Sequence, residues 1–162
     1  MAKSNIHLKM HDIKGESTDS KHKDEIDVET WSWGVSNPGS TASGGGGGAG
    51  KASFTDLTFV HSVDKASPSL WRACAIGQHI KDATLSSAKK GKGSQDFLII
   101  KMSDVLITSV SASQTEGRDS VAIEQVAMQF SKVDLEYKPQ KADGSLDMGI
   151  HFKYDIKANK ET

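Results

Sequence analysis

Residues 120–138 read SVAIEQVAMQFSKVDLEYK. Apolar side chains recur at every second position, the period of a strand with one face buried. The phase changes midway. Val126, Met128 and Phe130 occupy even positions, whereas Val133, Leu135 and Tyr137 occupy odd ones. A one-residue slip in an otherwise regular strand turns its apolar face outward. The run is also too long for one flat strand, so the sequence calls for a bulge or bend near Ser131 and Lys132 that returns every apolar side chain to the interior.

Period two recurs along most of the chain. Ile6, Leu8 and Met10 alternate with polar residues over Asn5 to Ile13, and Ile26 to Val35 carries Val28, Trp31 and Trp33. In the latter segment Trp31 and Trp33 share a face and Ser32 takes the other. SFTDLTFVHS, IKDATLSSA, DFLIIKMSD and VLITSVSAS read as further strands, and the closing IHFKYDIK places Ile150, Phe152, Tyr154 and Ile156 on one side. SNPGS, KKGKGSQ, TEGRD and PQKADGSLDMG supply the turns. Helical spacing is confined to SPSLWRACAIGQH, about residues 67–79. There Ser67 is placed to cap free amides, Pro68 suits the first helical position, and Leu70 and Cys74 define an apolar stripe with Trp71 and Ala75 beside it. About eight strands and one short α-helix predict a mainly β sandwich or barrel.

The segment GGGGGAGKAS invites comparison with a phosphate-binding loop, because Gly45, Gly50 and Lys51 fit G-x-x-x-x-G-K-[ST]. Ala52 stands where the magnesium-binding hydroxyl belongs, and Ser53 comes one residue late. Nucleotide motifs also need a helix starting at the end of the glycines, whose amides hold phosphate. Here the glycines lead into a strand. The expectation is a mobile Gly-rich arm over residues 39–52 between two strands, with no nucleotide bound.

The 162 residues fit one domain of 1–162 and bury a core without staples. With 20 basic and 21 acidic side chains the net charge is -1, which gives no electrostatic basis for binding nucleic acid or an anionic membrane. Cys74 is the single cysteine, so no intramolecular disulfide forms. On the apolar stripe of its helix it reads as a buried structural thiol. MAKSNIHLKM has no apolar run of signal-peptide length, and no stretch approaches a membrane span, so the expectation is a chain made in the cytosol and exported, if at all, by another machine.

No catalytic, cofactor-binding or metal-ligating set emerges. His7 and His11 share a strand face yet lie about 13 Å apart, too far to share an ion. Both read as exposed. His22, His61, His79 and His151 are scattered, no G-x-S-x-G elbow follows a strand, and the carboxylates read as solvated surface charge.

KGES, EIDVETWSWGVS, the glycine arm, SFTDLTFVHSVDKASPSLWRACAIGQH, VLITSVS, EQVAMQFSKVDLEYKPQKADG and YDIKANK occur in that order. Together they resemble the haemolysin-coregulated protein (Hcp) family of type VI secretion tubes, nearly end to end. The helix SxxLWRACxxGxH and the turn YxPQKADG, here Tyr137 to Gly144, are the most specific parts. The resemblance implies a single-domain β-barrel of two packed antiparallel sheets flanked by one helix. It further implies a non-enzymatic subunit that forms six-membered rings, stacks them into a hollow tube, and is secreted without a signal peptide. Sheath and spike proteins, and effector proteins carried in the lumen, are the implied partners. In that setting the arm residues Gly44, Gly45, Gly46, Gly47, Gly48, Ala49, Gly50 and Lys51 would serve ring-stacking or neighbour contacts, and Ser32 would face the lumen and its cargo. The alternative is a free β-barrel that binds a small ligand or a glycan.

Overall fold

In a computed structural model of the chain, residues 4–39, 51–90, 95–117 and 120–162 are described. The described strands are β1 (Ile6–Met10), β2 (Ile26–Val28), β3 (Thr30–Ser32), β4 (Val35–Ser36), β5 (Ser53–Phe54), β6 (Leu57–Ser62), β7 (His79–Ala88), β8 (Asp96–Gln114), β9 (Ala122–Tyr137), β10 (Ile150–Asp155) and β11 (Lys160–Glu161). One helix, α1 (Ser67–Ile76), lies between β6 and β7.

All paired strands are antiparallel, and β7, β8 and β9 are long enough to serve two sheets. One sheet runs β2, β1, β7, β8, β9, β10, β11, using the later part of β7, the first half of β8 and the last half of β9. The other uses the remaining halves of β8 and β9 and adds β6 and β3. The Glu29 amide, between β2 and β3, donates to the Val60 carbonyl at 2.8 Å and joins the two sheets along their far side. This closes a barrel from β1 through β9 and back.

The phase slip expected in β9 is a bend shared by three strands. Buried residues change parity between Ile80 and Ala83 in β7, between Met102 and Val105 in β8, and between Phe130 and Val133 in β9. These points lie at one level of the sheet, at Lys81, Asp104 and Ser131. Partners on both sides keep the same register, Ile80 with Val105 and Asp82 with Ser103, Val105 with Phe130 and Ser103 with Lys132. No extra residue is inserted, because all three strands rotate together. Asp104 takes the left-handed conformation (φ 55°) that the rotation requires, one that short polar side chains tolerate best. Its carboxylate accepts from Ser131 Oγ at 2.8 Å and lies 2.8 Å from His79 Nδ1, and these partners hold its pKa below the ordinary value.

Several sequence expectations are corrected here. The segment Ile26 to Val35 breaks into β2, β3 and β4 because it changes sheets, while DFLIIKMSD and VLITSVSAS fuse into β8. The helix ends at Ile76 rather than near residue 79, since Gly77 adopts φ 64° and its amide and that of Gln78 turn back to carbonyls of the last turn. Ala66, not Ser67, holds the N-cap position. Ser67 Oγ instead accepts from the Asp64 amide, and Asp64 Oδ1 accepts from the Ala66 amide. The helix buries Leu70 and Ala73 against β8, leaving Cys74 half-buried and Trp71 and Ala75 on the outer side.

Phe59, Leu57, Met128, Val126, Leu85, Ile100 and Leu8 are fully buried between the sheets. Cutting Phe59 to alanine removes a ring from a layer that closes only partly around the gap, so Phe59→Ala should cost about 3–5 kcal/mol in urea unfolding. A loss below about 1 kcal/mol would place Phe59 outside the core.

Candidate functional site

β4 and β5 pair as a short two-stranded hairpin, with Val35 opposite Phe54 and Ser36 opposite Ser53, so the two segments that flank the arm in sequence lie side by side. Phe54 anchors this hairpin. Its ring stacks on Trp33 at 5.5 Å and meets Tyr154 of β10 at 5.2 Å, while Trp33 reaches Phe130 at 5.4 Å. Lys51 is exposed beside the hairpin. The arm residues Gly44 to Gly50 lie outside the described residues.

Ser32 is exposed on β3 opposite Thr58 of β6, while Trp31 and Trp33 pack against the core. The alternation read from the sequence holds at these three residues. Ser32 is not brought together with any titratable cluster among the described residues. Two such clusters were missed by sequence reasoning, which took their members for scattered surface groups.

In the first cluster, β6 and β9 place His61 directly opposite Glu124, and both are fully buried. His61 Nε2 lies 2.8 Å from Glu124 Oε1, and the indole N–H of Trp71 donates to Glu124 Oε2 at 2.6 Å. Asp64 Oδ2 is 3.7 Å from His61 Nδ1. Burial disfavours the imidazolium, but Asp64 and Glu124 outweigh it and hold the His61 pKa above its ordinary value. The cluster ties α1 to the barrel wall through a charge that water does not reach.

The second cluster fixes the polar loop before β2. His22 presents Nδ1 to Glu25 at 3.0 Å and Nε2 to Asp96 at 3.0 Å, joining the loop to the start of β8. Only the imidazolium donates from both nitrogens. Burial lowers the His22 pKa, and the hydrogen bond and charge of Asp96 and Glu25 reverse that, leaving it raised. The ring stacks on His7 at 4.6 Å, and His7 Nε2 lies 3.2 Å from Asp27. His7 is therefore buried, against the expectation of an exposed side chain, because the loop folds over the polar face of β1.

All six histidines have a carboxylate within reach, since His11 meets Asp12, His79 meets Asp104, and His151 meets Asp134 and Glu136. Among the described residues no three His, Cys, Asp or Glu side chains are grouped so as to hold a metal ion. An open cleft of about 650 Å³ between Lys21, Asp96, Lys138, Lys141 and Met148 mixes charges of both signs. The histidine pairs are structural ties.

A histidine whose folded pKa is raised contributes stability that is complete below its unfolded value, about 6.5, and is lost as pH rises through the folded value. The urea midpoint should therefore fall as pH rises from about 6 through the raised values of His61 and His22. Glu124→Gln should flatten that dependence, and Glu124→Ala, which strands His61, should cost about 3–5 kcal/mol. An equal pH slope in wild type and Glu124→Gln would show that His61 does not titrate against Glu124.

Residues 7–137 match the family model described as Type VI secretion system effector, Hcp. The chain is 43% identical over 154 residues to Protein hcp1 of Pseudomonas aeruginosa, covering 94% of each. The crystal structure of Hcp1 from Salmonella typhimurium shares 37% identity, covers 97% of both chains and superposes with a TM-score of 0.79. A structure of a type six secretion system protein gives 0.91 at 29% identity, over 97% of this chain and 98% of that one. The mainly β fold with one short helix is thus that of the Hcp proteins. Proteins of this kind form the tubes of type VI secretion systems, are secreted, and are structural rather than enzymatic. The chain belongs to the Hcp family of type VI secretion proteins.

Proposed function

We propose that this chain is the repeating subunit of a type VI inner tube, in which six copies close into a ring and rings stack around a continuous lumen. The family match over residues 7–137 carries the reading. The fold supports it physically. A head-to-tail contact repeated around a closed ring covers every copy equally, and sheet edges left open in one copy find a neighbour. The subunit is made and assembled in the cytoplasm, leaves through the secretion system, and works with sheath and spike proteins and with effectors held in the lumen. Electron micrographs of the purified protein test the core of this: six-fold rings and short stacks are expected, and a field of single chains at high concentration would overturn it.

The arm over residues 39–52, with Gly44 to Lys51 at its centre, serves the contact between rings. Glycine carries a large ordering entropy, so a contact made by such a segment is weak enough to be made and released. Deleting residues 40–50 should leave rings intact while reducing tube growth and secretion severalfold. Normal secretion from the shortened chain would reduce the arm to a passive linker.

Ser32 faces the lumen, where a small hydroxyl leaves room for cargo. The support is its exposure on β3, on the side away from the packed Trp31 and Trp33. Ser32→Gln should change stability by no more than about 0.5 kcal/mol, as at other surface positions, yet lower the amount of effector that co-purifies with the ring. Undiminished effector on a normally assembled ring would remove Ser32 from the lumen.

A further inference from the structure

We infer that the core-side face of β10 is a docking surface for a second copy of this chain, centred on Ile150, Phe152 and Tyr137. The identity of the occupant rests on the tube reading; the surface itself rests on the sheet. In β10 and β9, Ile150 lies opposite Tyr137, Phe152 opposite Leu135 and Tyr154 opposite Val133. Directly paired residues of antiparallel strands share a face. Val133 is buried in the barrel core, so the whole row belongs to the core side. One strand further in, Met102 and Ile100, opposite Val133 and Leu135, are also buried.

Exposure rises steadily outward across this apolar face. From Val133 at 4% it climbs to 37% at Phe152, 43% at Tyr137 and 65% at Ile150. The cause is the way the barrel closes. The second sheet turns back on the other half of β9, where β6 pairs with residues 123–128, so that Leu135 is only partly buried against the core and Tyr137 stands exposed. A strand pattern made for a covered core therefore continues past the last covering element. Aromatic rings mark the path out of the core, from Phe130 through Trp33, Phe54 and Tyr154 to Phe152, with centroids 5.2–5.8 Å apart at each step.

The outer edge of β10 is open over the same residues. β11 pairs with Tyr154 and Asp155, and the Thr162 amide donates to the Lys153 carbonyl at 3.2 Å, so among the described strands nothing pairs with the outer edge of Ile150 to Phe152. Apolar residues on an open edge are the usual mark of a surface that is covered in the working assembly. A second copy is the occupant the observations favour. Tube formation requires contacts between copies, a contact repeated around a closed ring is made by every copy, and the face adjoins the β4–β5 pair that flanks the arm in sequence, through the contact of Phe54 with Tyr154.

The test compares the full-length wild type with a double variant, Ile150→Ser with Phe152→Ser, by light scattering after size exclusion, with circular dichroism as the check on folding. The expected result is an assembled wild type and a folded double variant of one-chain mass. A double variant that assembles like an assembled wild type would overturn this inference and leave the tube reading in place; a wild type of one-chain mass at high concentration would overturn both. A second measurement decides the matter even where the double variant does not fold. Phe152 replaced by a photoreactive phenylalanine analogue keeps a ring of similar size at an exposed position. Illuminating the assembled protein should then give covalent chain-to-chain pairs of this protein. Assembled rings without such pairs, or with adducts only to other added proteins, would overturn it.

Discussion

A single rotation shared by three strands governs this fold. At Lys81, Asp104 and Ser131 the interior side of β7, β8 and β9 passes from one set of alternate residues to the other without any change of partner. That allows the same strands to contribute to two packed sheets and removes any need for separate strands in each layer. Asp104 bears the conformational consequence, and its bonds to Ser131 and His79 lie on the outer surface of the bend. The Ser131 carbonyl accepts the amide of Ile156 at 2.8 Å, just past the end of β10.

The bend also decides which part of the chain is left over. Because β6 takes one half of β9 and β10 the other, β10 and β11 stand beside the closed circuit rather than within it. A fold of this kind satisfies its own core and still carries an apolar margin. In a family that builds tubes, such a margin is the surface we infer to meet a second copy. Buried histidine–carboxylate pairs have a complementary part. They fix α1 and the loop before β2 to the barrel by buried and partly buried charges, so these elements hold their places on the barrel wall.

Much of the fold was legible because its signals are local. The parity change between Phe130 and Val133 announced the bend, alternation placed Ser32 opposite the packed tryptophans, and the helix and turn segments carried the family resemblance. What escaped depends on register. His61 and Glu124 are 63 positions apart and are directly opposed only once β6 pairs with β9. His7 and Asp27 likewise meet through the pairing of β1 with β2, and His22 reaches Asp96 through a loop with no periodicity at all. The apolar alternation of β10 was read correctly, but periodicity reports which residues share a face and not whether a second layer covers it. Ile150 and Phe152 therefore share a side with Tyr154 and Ile156 in the sequence without any sign there that they stand exposed.

In the proposed tube this barrel is completed by copies of itself. An electron cryomicroscopy map of the assembled protein measures that most directly. It should contain six-fold rings in which Phe152 and Ile150 are covered by the neighbouring subunit and Ser32 faces the central channel. Rings that leave β10 bare to solvent, with Ser32 on the outer wall, would contradict it.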